Sequence, residues 1–378
     1  MTRDDIKTPG GEPFLLTPGP LTTSLETKQA MLRDWGSRDS NFIEAGAEIR
    51  QRLLAMTGAG DDYDCVLMQG SGTFSIEAAL SSFVPKDGKV LVLINGVYGK
   101  RALKILEILG RETTVLERGD YLPPQPEAVK QKLLEDEAIS DVFVVHCETS
   151  SGILNPLKEI ADVVHDAGRR LIIDAMSSFG AIPLEVSEIP YEAMVSSANK
   201  CIEGVPGFGF TIARKTALEG AKGRSHSLSL DLHEQWAYTG KSGQWRFTPP
   251  THAIMAFREA LRQHEAEGGV TGRGARYRAN MEALVKGMRA MGFETLLDDE
   301  EMAPVIITFL NPADPAFDFM AFYNALKARN FVIYPGQLTQ AQSFRIGCIG
   351  QIHEPVVTAL LETIRECIEE LGVTSCKP

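Results

Sequence analysis

Between residues 64 and 215 the sequence alternates short apolar runs with longer amphipathic segments, and this alternation limits the possible folds more than any other feature. "DCVLMQG" (64–70) leads into the helix-like "GTFSIEAALSSFV", and "KVLVLING" (89–96) into "YGKRALKILEILG". "DVFVVHCETS" (141–150) precedes "LKEIADVVHDAG", "RLIIDAMSS" (170–178) comes next, and "EAMVSSANK" and "GFGFTIARK" add two more strand candidates. Runs this apolar, rich in β-branched residues, belong to strands covered on both faces. The pattern predicts an α/β fold of βαβ units, with a mostly parallel central sheet between helices. In such sheets ligands bind just past the carboxyl ends of the strands, so the residues after each run are where chemistry is expected.

The flanks read differently. "FLLTPGPLTT" is a short apolar segment broken by prolines and a glycine, and a helix is expected over 40–57. The stretch 221–265 is less regular, with a loop leading into a helix in "QWRFTPPTHAIMAFREALRQ". From about 266 a helix, three strand candidates ("VIITFL", "FVIYPG", "SFRIGCIG") and a closing helix suggest a smaller α+β unit. With 378 residues the chain exceeds what one core usually holds. The expected division is an N-terminal segment (1–30) near the active-site entrance, a large cofactor-binding domain (31–265) and a small C-terminal domain (266–378). A formal charge of −12 argues against nucleic acid held by phosphate attraction. No membrane span or signal-peptide centre is visible, and six scattered cysteines without a CxxC pair predict reduced thiols, no metal and a cytoplasmic protein.

Collecting the residues at the strand ends gives a short set. Ser71-Gly72-Thr73 opens a helix, where small residues let backbone N–H groups face an anion; neither GxGxxG nor a Walker A loop is completed. Tyr98 follows "LVLING", and Glu148 and Thr149 follow "VFVVHC". His146, inside an apolar run, reads as a satisfied core histidine. Asp174 ends "RLIID", and Lys200 ends "MVSSAN". A carboxylate and an amine closing buried strands form either a structural ion pair or the two ends of a cofactor site, because each is costly to bury alone. Pyridoxal 5′-phosphate needs an amine to bond, an acid on its ring nitrogen, an anion cradle and a flat group on its ring. Lys200, Asp174, Ser71-Gly72-Thr73 and Tyr98 supply candidates for all four.

The chain resembles the class V, fold-type I pyridoxal-phosphate aminotransferases. The resemblance is carried by "LLTPGPLTTS" (15–24), "DWGSRDSNF" (34–42), "MQGSGTFSIEAAL" (68–80), "NGVYGKR" (95–101) and "HCETSSGILNPL" (146–157). It continues through "IIDAMSSFGAIPL" (172–184), "SSANKCIEGVPGFGF" (196–210), "RFTPPTH" (246–252) and "FRIGCIG" (344–350), in order along nearly the whole chain. It implies that Lys200 bonds covalently to the cofactor and that Asp174 pairs with the ring nitrogen. Ser71, Gly72, Thr73 and Asn199 would hold the phosphate, Tyr98 would stack on the ring, and Thr149 would lie near the phenolic oxygen. Thr248 would reach the phosphate from the other subunit of a homodimer, and Arg345 would take the substrate carboxylate.

The longer shared strings imply that the amine donor is 2-aminoethylphosphonate and the acceptor pyruvate. Alanine–glyoxylate and serine–pyruvate transamination are the nearest alternatives. A cysteine desulfurase would need a mobile reactive cysteine, and Cys201 beside the lysine is wrongly placed for that. A cofactor-binding regulator would need a DNA-binding module, for which neither length nor a basic segment is present.

Overall fold

The computed structural model describes residues 6–8, 10–336 and 341–378; of the first dozen residues, whose role the sequence leaves unexplained, 1–5 and 9 lie outside it. In chain order the strands are Phe14–Leu15 (β1), Tyr63–Gly70 (β2), Lys89–Ile94 (β3), Glu112–Glu117 (β4), Ile139–Val145 (β5), Cys147–Glu148 (β6) and Ile153–Leu154 (β7). They continue with Arg170–Asp174 (β8), Ala193–Ser197 (β9), Gly207–Arg214 (β10), Ile306–Leu310 (β11), Phe331–Val332 (β12), Tyr334–Pro335 (β13) and Ser343–Gly347 (β14). Seven of them form the central sheet, ordered β2-β10-β9-β8-β5-β3-β4. All its pairings are parallel except those of β10, which runs against both β9 and β2. The mostly parallel α/β sheet expected from the sequence is therefore present.

The two faces of the sheet explain the unbroken apolar runs. Leu91 and Leu93 of β3 point into one core, with Val142, Val144, Leu171 and Ile173. Val90, Val92 and Ile94 point into the other, with Phe143, Val145 and Ile172. Successive side chains of a strand alternate faces, so a sheet covered on both sides needs apolar residues at every position.

The reversed strand matters for the site. Because β10 is antiparallel, its first residues lie at the sheet edge where β2, β8 and β9 end. Pro206 and Gly207 thus join the residues at the carboxyl ends.

The sequence reading passed over β4, "ETTVLE". It is an edge strand pairing only with β3, and its side chains are half exposed. Charged and polar residues are expected on such an edge, where they discourage pairing with another chain, and they erase the apolar signal.

A third core gathers Met281, Phe309, Phe344, Ile346, Leu360 and Ile364 from the C-terminal elements. Phe14 and Leu16 pack in it too, because β1 adds in parallel to β12. The beginning of the chain is therefore built into its C-terminal part. Residues 17–24 then run from there back over the end of the central sheet.

Candidate active site

One cavity of about 450 Å³ opens at the carboxyl ends of the strands, within the range of small-molecule sites. Its walls include Ser71, Gly72, Thr73, Tyr98, Asp174, Asn199 and Lys200. Four separate strand-to-helix or strand-to-turn connections bring these residues together.

The cradle is the start of the helix Gly72–Phe83. Its N-cap, Ser71, is extended (φ −84°, ψ 172°), and its side chain makes no capping hydrogen bond. The Ser71 hydroxyl thus makes no capping bond to the twelve-residue helix, whose first residues line the cavity. Gly72 lies close against another wall of the cavity: a Cβ there would stand 2.7 Å from Met176 Sδ, and the methionine end would have to move.

Lys200 lies in the turn after β9. Its Nζ donates to the carbonyl of Pro18 at 2.8 Å, and burial pushes its pKa down. Gly19 sits directly on this side chain, with a φ of +119°; a Cβ would come within 2.7 Å of Lys200 Cδ and of the Asn199 carbonyl. The segment "TPGP" is therefore a lid over the lysine, formed by residues sequence-distant from it.

Asp174 ends β8, and its Oδ1 accepts the Met176 N–H at 2.9 Å. Burial, the dominant influence, raises its pKa to about 6, while that N–H and the Lys200 charge pull the other way. Among the described residues no salt bridge joins Asp174 to Lys200, and the two share the cavity without touching. The ion-pair reading of this pair is thus not the one the geometry supports. A carboxyl pushed toward neutrality by burial gains most when a cation is set beside it.

Tyr98, in the first turn of the helix Val97–Ile108, is held by its backbone N–H, which Glu148 Oε2 accepts at 3.1 Å. Glu148 also accepts the Ser150 hydroxyl at 2.6 Å, and burial raises its pKa to about 7. Thr149 is fully buried; its hydroxyl lies close enough to the Tyr98 phenol to offset part of that group's burial-raised pKa, yet makes no hydrogen bond of normal geometry. A buried hydroxyl in that state fits a further polar partner at the site.

Neither Thr149 nor Arg345, on β14, is among the residues lining the cavity, and the two are joined to each other. Arg345 Nη1 donates to the Thr149 carbonyl at 2.6 Å, while Nε and Nη2 donate to the Pro335 carbonyl at 3.1 and 2.8 Å. The arginine is 1% exposed, and among the described residues no carboxylate pairs with it. A buried guanidinium bonded only to carbonyls keeps its positive charge for an anion.

Thr248 is exposed on the loop before the helix Thr251–Ala266 and does not reach the cavity of its own chain. His146 is the core histidine expected: its Nδ1 meets Ser178 Oγ at 2.9 Å, and burial lowers its pKa to about 4.

The sequence reading missed Arg101, which lines the cavity, donates to Thr73 Oγ1 at 3.1 Å and lies 5.0 Å from the Tyr98 ring centroid. A signal was available: Arg101 follows Tyr98 by three residues, one helical turn, on the same face. Ser177 and Ser197 also line the cavity and were not singled out. The residues present fit pyridoxal 5′-phosphate in size, anion cradle, amine and acid, and among the described residues no group of side chains could hold a metal ion.

The family model "Aminotransferase class-V" matches residues 23–327. A 2-aminoethylphosphonate–pyruvate transaminase of Rhizobium meliloti is 59% identical over 369 residues, 97% of this chain and 96% of that protein. The corresponding transaminase 1 of Paraburkholderia xenovorans is 56% identical over 97% of this chain and 95% of its own length. Among solved structures, ureidoglycine–glyoxylate aminotransferase from Bacillus subtilis superposes with a TM-score of 0.89 at 23% identity, covering 98% of this chain and 96% of that one. Pyridoxamine–pyruvate aminotransferase from Mesorhizobium loti gives 0.88 at 24%, covering 96% and 94%. At such identities the likeness speaks for the fold alone.

Proposed function

This chain belongs to the class-V aminotransferases, and we propose that it is a 2-aminoethylphosphonate–pyruvate transaminase acting in phosphonate degradation. The observation that carries the reading is the convergence of Lys200, Asp174, Ser71-Gly72-Thr73 and Tyr98 on one cavity. The names of its full-length relatives supply the substrates. The donor, 2-aminoethylphosphonate, leaves as phosphonoacetaldehyde; pyruvate then takes the amine and leaves as alanine, in a ping-pong sequence.

Pyridoxal 5′-phosphate, when bound, supplies the electron sink that lets a C–H bond beside the amine give up its proton. The chain's own groups do the rest. Lys200 anchors the cofactor covalently. Its Nζ would also move a proton away from the substrate carbon, and the downward shift that burial gives it suits a base. Asp174 places a carboxylate against the ring nitrogen and keeps a proton there. Tyr98 holds the ring flat, and Glu148 fixes Tyr98 through its backbone N–H. Ser71, Gly72, Thr73 and Asn199 would hold the phosphate, and Thr149 would offer its hydroxyl to the phenolic oxygen. Arg345 binds the pyruvate carboxylate in a two-pronged geometry that lysine cannot offer.

The protein works as a cytoplasmic homodimer with shared sites, in which Thr248 reaches the cofactor phosphate of the other subunit. Its exposed position supports this, as do the exposed Phe74 beside the cradle and Phe247 beside Thr248. Cys65, Cys147, Cys201, Cys348 and Cys376 are buried free thiols, as a reducing compartment would keep them. The deciding experiment follows the visible absorbance of the loaded protein. 2-Aminoethylphosphonate should convert it to the amine form, and pyruvate should restore it. A protein that responds to alanine with glyoxylate, or to serine with pyruvate, but ignores 2-aminoethylphosphonate would be one of the sister transaminases instead.

A further inference from the structure

Three residues beyond Lys200, the chain does something a globular protein rarely does. Glu203 is 2% exposed, and its backbone has a φ of +64°, in the left-handed region. Among the described residues only Asn330 is another non-glycine with positive φ. Asparagine tolerates that conformation, whereas glutamate gains nothing locally from it, and glycine would adopt it without strain. A strained, buried and charged residue persists only where its surroundings over-determine it.

The surroundings of Glu203 consist of donors from three directions. Its Oε1 accepts from Arg276 Nη2 at 2.7 Å and from the Tyr277 hydroxyl at 2.6 Å; Oε2 accepts from Gln351 Nε2 at 2.6 Å. Arg273 Nη1 stands 3.4 Å away. Arg273 and Arg276 are shared with Glu267, whose carboxyl they hold down to about 2, so the buried cluster has two charges of each sign.

What this cluster joins is more informative than what it contains. The Glu203 N–H donates to the Lys200 carbonyl at 2.8 Å, and Arg273 Nη1 to the Cys201 carbonyl at 2.6 Å, so the lysine's own turn is one party. Gln351 and the carbonyls of Gly350 and Ile352, which accept from Arg276, belong to the turn directly after the strand carrying Arg345. That turn is bonded in its turn to the chain just after the lid over the lysine, through the Gln351 N–H and the Thr22 carbonyl at 2.8 Å. One carboxylate thus ties the lysine's turn to the turn after β14 and, through the Gln351 backbone, to the stretch at Thr22.

We infer that Glu203 is a positioning residue. Its side chain fixes the Lys200 turn relative to the lid and to the strand bearing Arg345, and the strain of its backbone is maintained for that purpose. The inference rests on Lys200 being the cofactor's covalent anchor. Buried ion clusters contribute little net stability compared with apolar packing, and in some proteins they instead select one arrangement over its neighbours. A proton transfer at Lys200 Nζ is sensitive to displacement of a fraction of an ångström to an ångström.

The test uses the loaded enzyme with Glu203→Gln, which keeps the shape and removes the charge, and Glu203→Gly, which relieves the backbone. Gln351→Ala removes one outer donor and serves as the mild variant. Borohydride reduction followed by mapping of the Lys200 peptide counts the loaded sites. Single-turnover rates per loaded site are then measured with 2-aminoethylphosphonate and, from the amine form, with pyruvate. Both Glu203 variants should lose about tenfold or more in rate per site in both half-reactions, with half-saturating concentrations changed less than about twofold. Glycine, despite its easier backbone, should not recover the rate. The pH midpoint of the visible band should move in the same variants, and Gln351→Ala should shift both readouts in the same direction by a smaller factor. Wild-type rates per site and an unmoved midpoint, even with a lower melting temperature, would overturn the inference; should the Glu203 variants not fold, Gln351→Ala decides alone. Absence of trapped cofactor on Lys200 in the wild type would instead remove the anchor assignment, and this inference with it.

Discussion

Burial acts oppositely on the two charged groups at the heart of the cavity. It strips Lys200 of its reason to hold a proton and gives Asp174 a reason to take one. Asp174 therefore carries a stability cost in the cofactor-free protein. Its folded pKa of about 6 lies above the unfolded value, so the native state binds the extra proton between about pH 4 and 6, and stability falls as pH rises through that window. The loss is about 3 kcal/mol once both states are ionised. Asp174→Asn should make the cofactor-free protein more stable than wild type at pH 8, and the gain should vanish near pH 4; urea denaturation at the two pH values checks this. The same substitution should lower kcat of the loaded enzyme by about 100-fold or more, because the proton on the ring nitrogen loses its counter-charge. Lys200→Ala should abolish borohydride-stable cofactor attachment altogether, which mass spectrometry of the intact chain reads directly.

Secondary-structure elements carry the site less evenly than the sequence suggests. Ser71, Asp174 and Lys200 were legible because each ends a recognisable apolar run, and the strand-end rule pointed at them before any geometry was known. Arg101, one helical turn past Tyr98, was hidden because a charged residue early in an amphipathic helix looks like an ordinary solvated face. The lid was hidden for a different reason. "TPGP" reads as a loop, and nothing local says that its glycine will lie against a lysine 181 positions away. Gly19→Ala should test that contact. The new methyl meets the Asn199 carbonyl and the lysine stem, and the φ is unfavourable for any side chain. Activity should fall by about tenfold or more and stability by about 1–3 kcal/mol, as measured by kcat and by chemical denaturation.

At the scale of the molecule, two packed regions must hold their positions for one chemistry. Phe344 sits among the rings of Phe293, Phe309, Phe317, Phe319 and Phe322 and immediately precedes Arg345. Phe344→Ala should cost about 3–5 kcal/mol from the cavity it leaves, and should also raise the KM for pyruvate through its neighbour. The proposed assembly has a sharper test. Lys200→Ala and Thr248→Ala subunits, refolded together in equal amounts, should regain about a quarter of wild-type activity. Half of the dimers would be mixed, and each mixed dimer would have one intact site. No recovery would mean that Thr248 does not serve the other subunit.

The sequence by itself determined six of the seven central strands, the mostly parallel α/β character of their sheet and most of the chemical identities at its carboxyl edge, because apolar periodicity and strand-end placement are local properties of the chain. Only the tertiary structure decided how β10 turns back to bring Pro206 and Gly207 to that edge and how β1 joins the C-terminal core. It also brought Pro18 and Gly19 to bear on Lys200, and Arg276, Tyr277 and Gln351 on Glu203. Those contacts depend on distant segments meeting in space. The energy that selects them, from burying shared apolar faces and satisfying buried polar groups, is spread over pairs of residues that no local window contains.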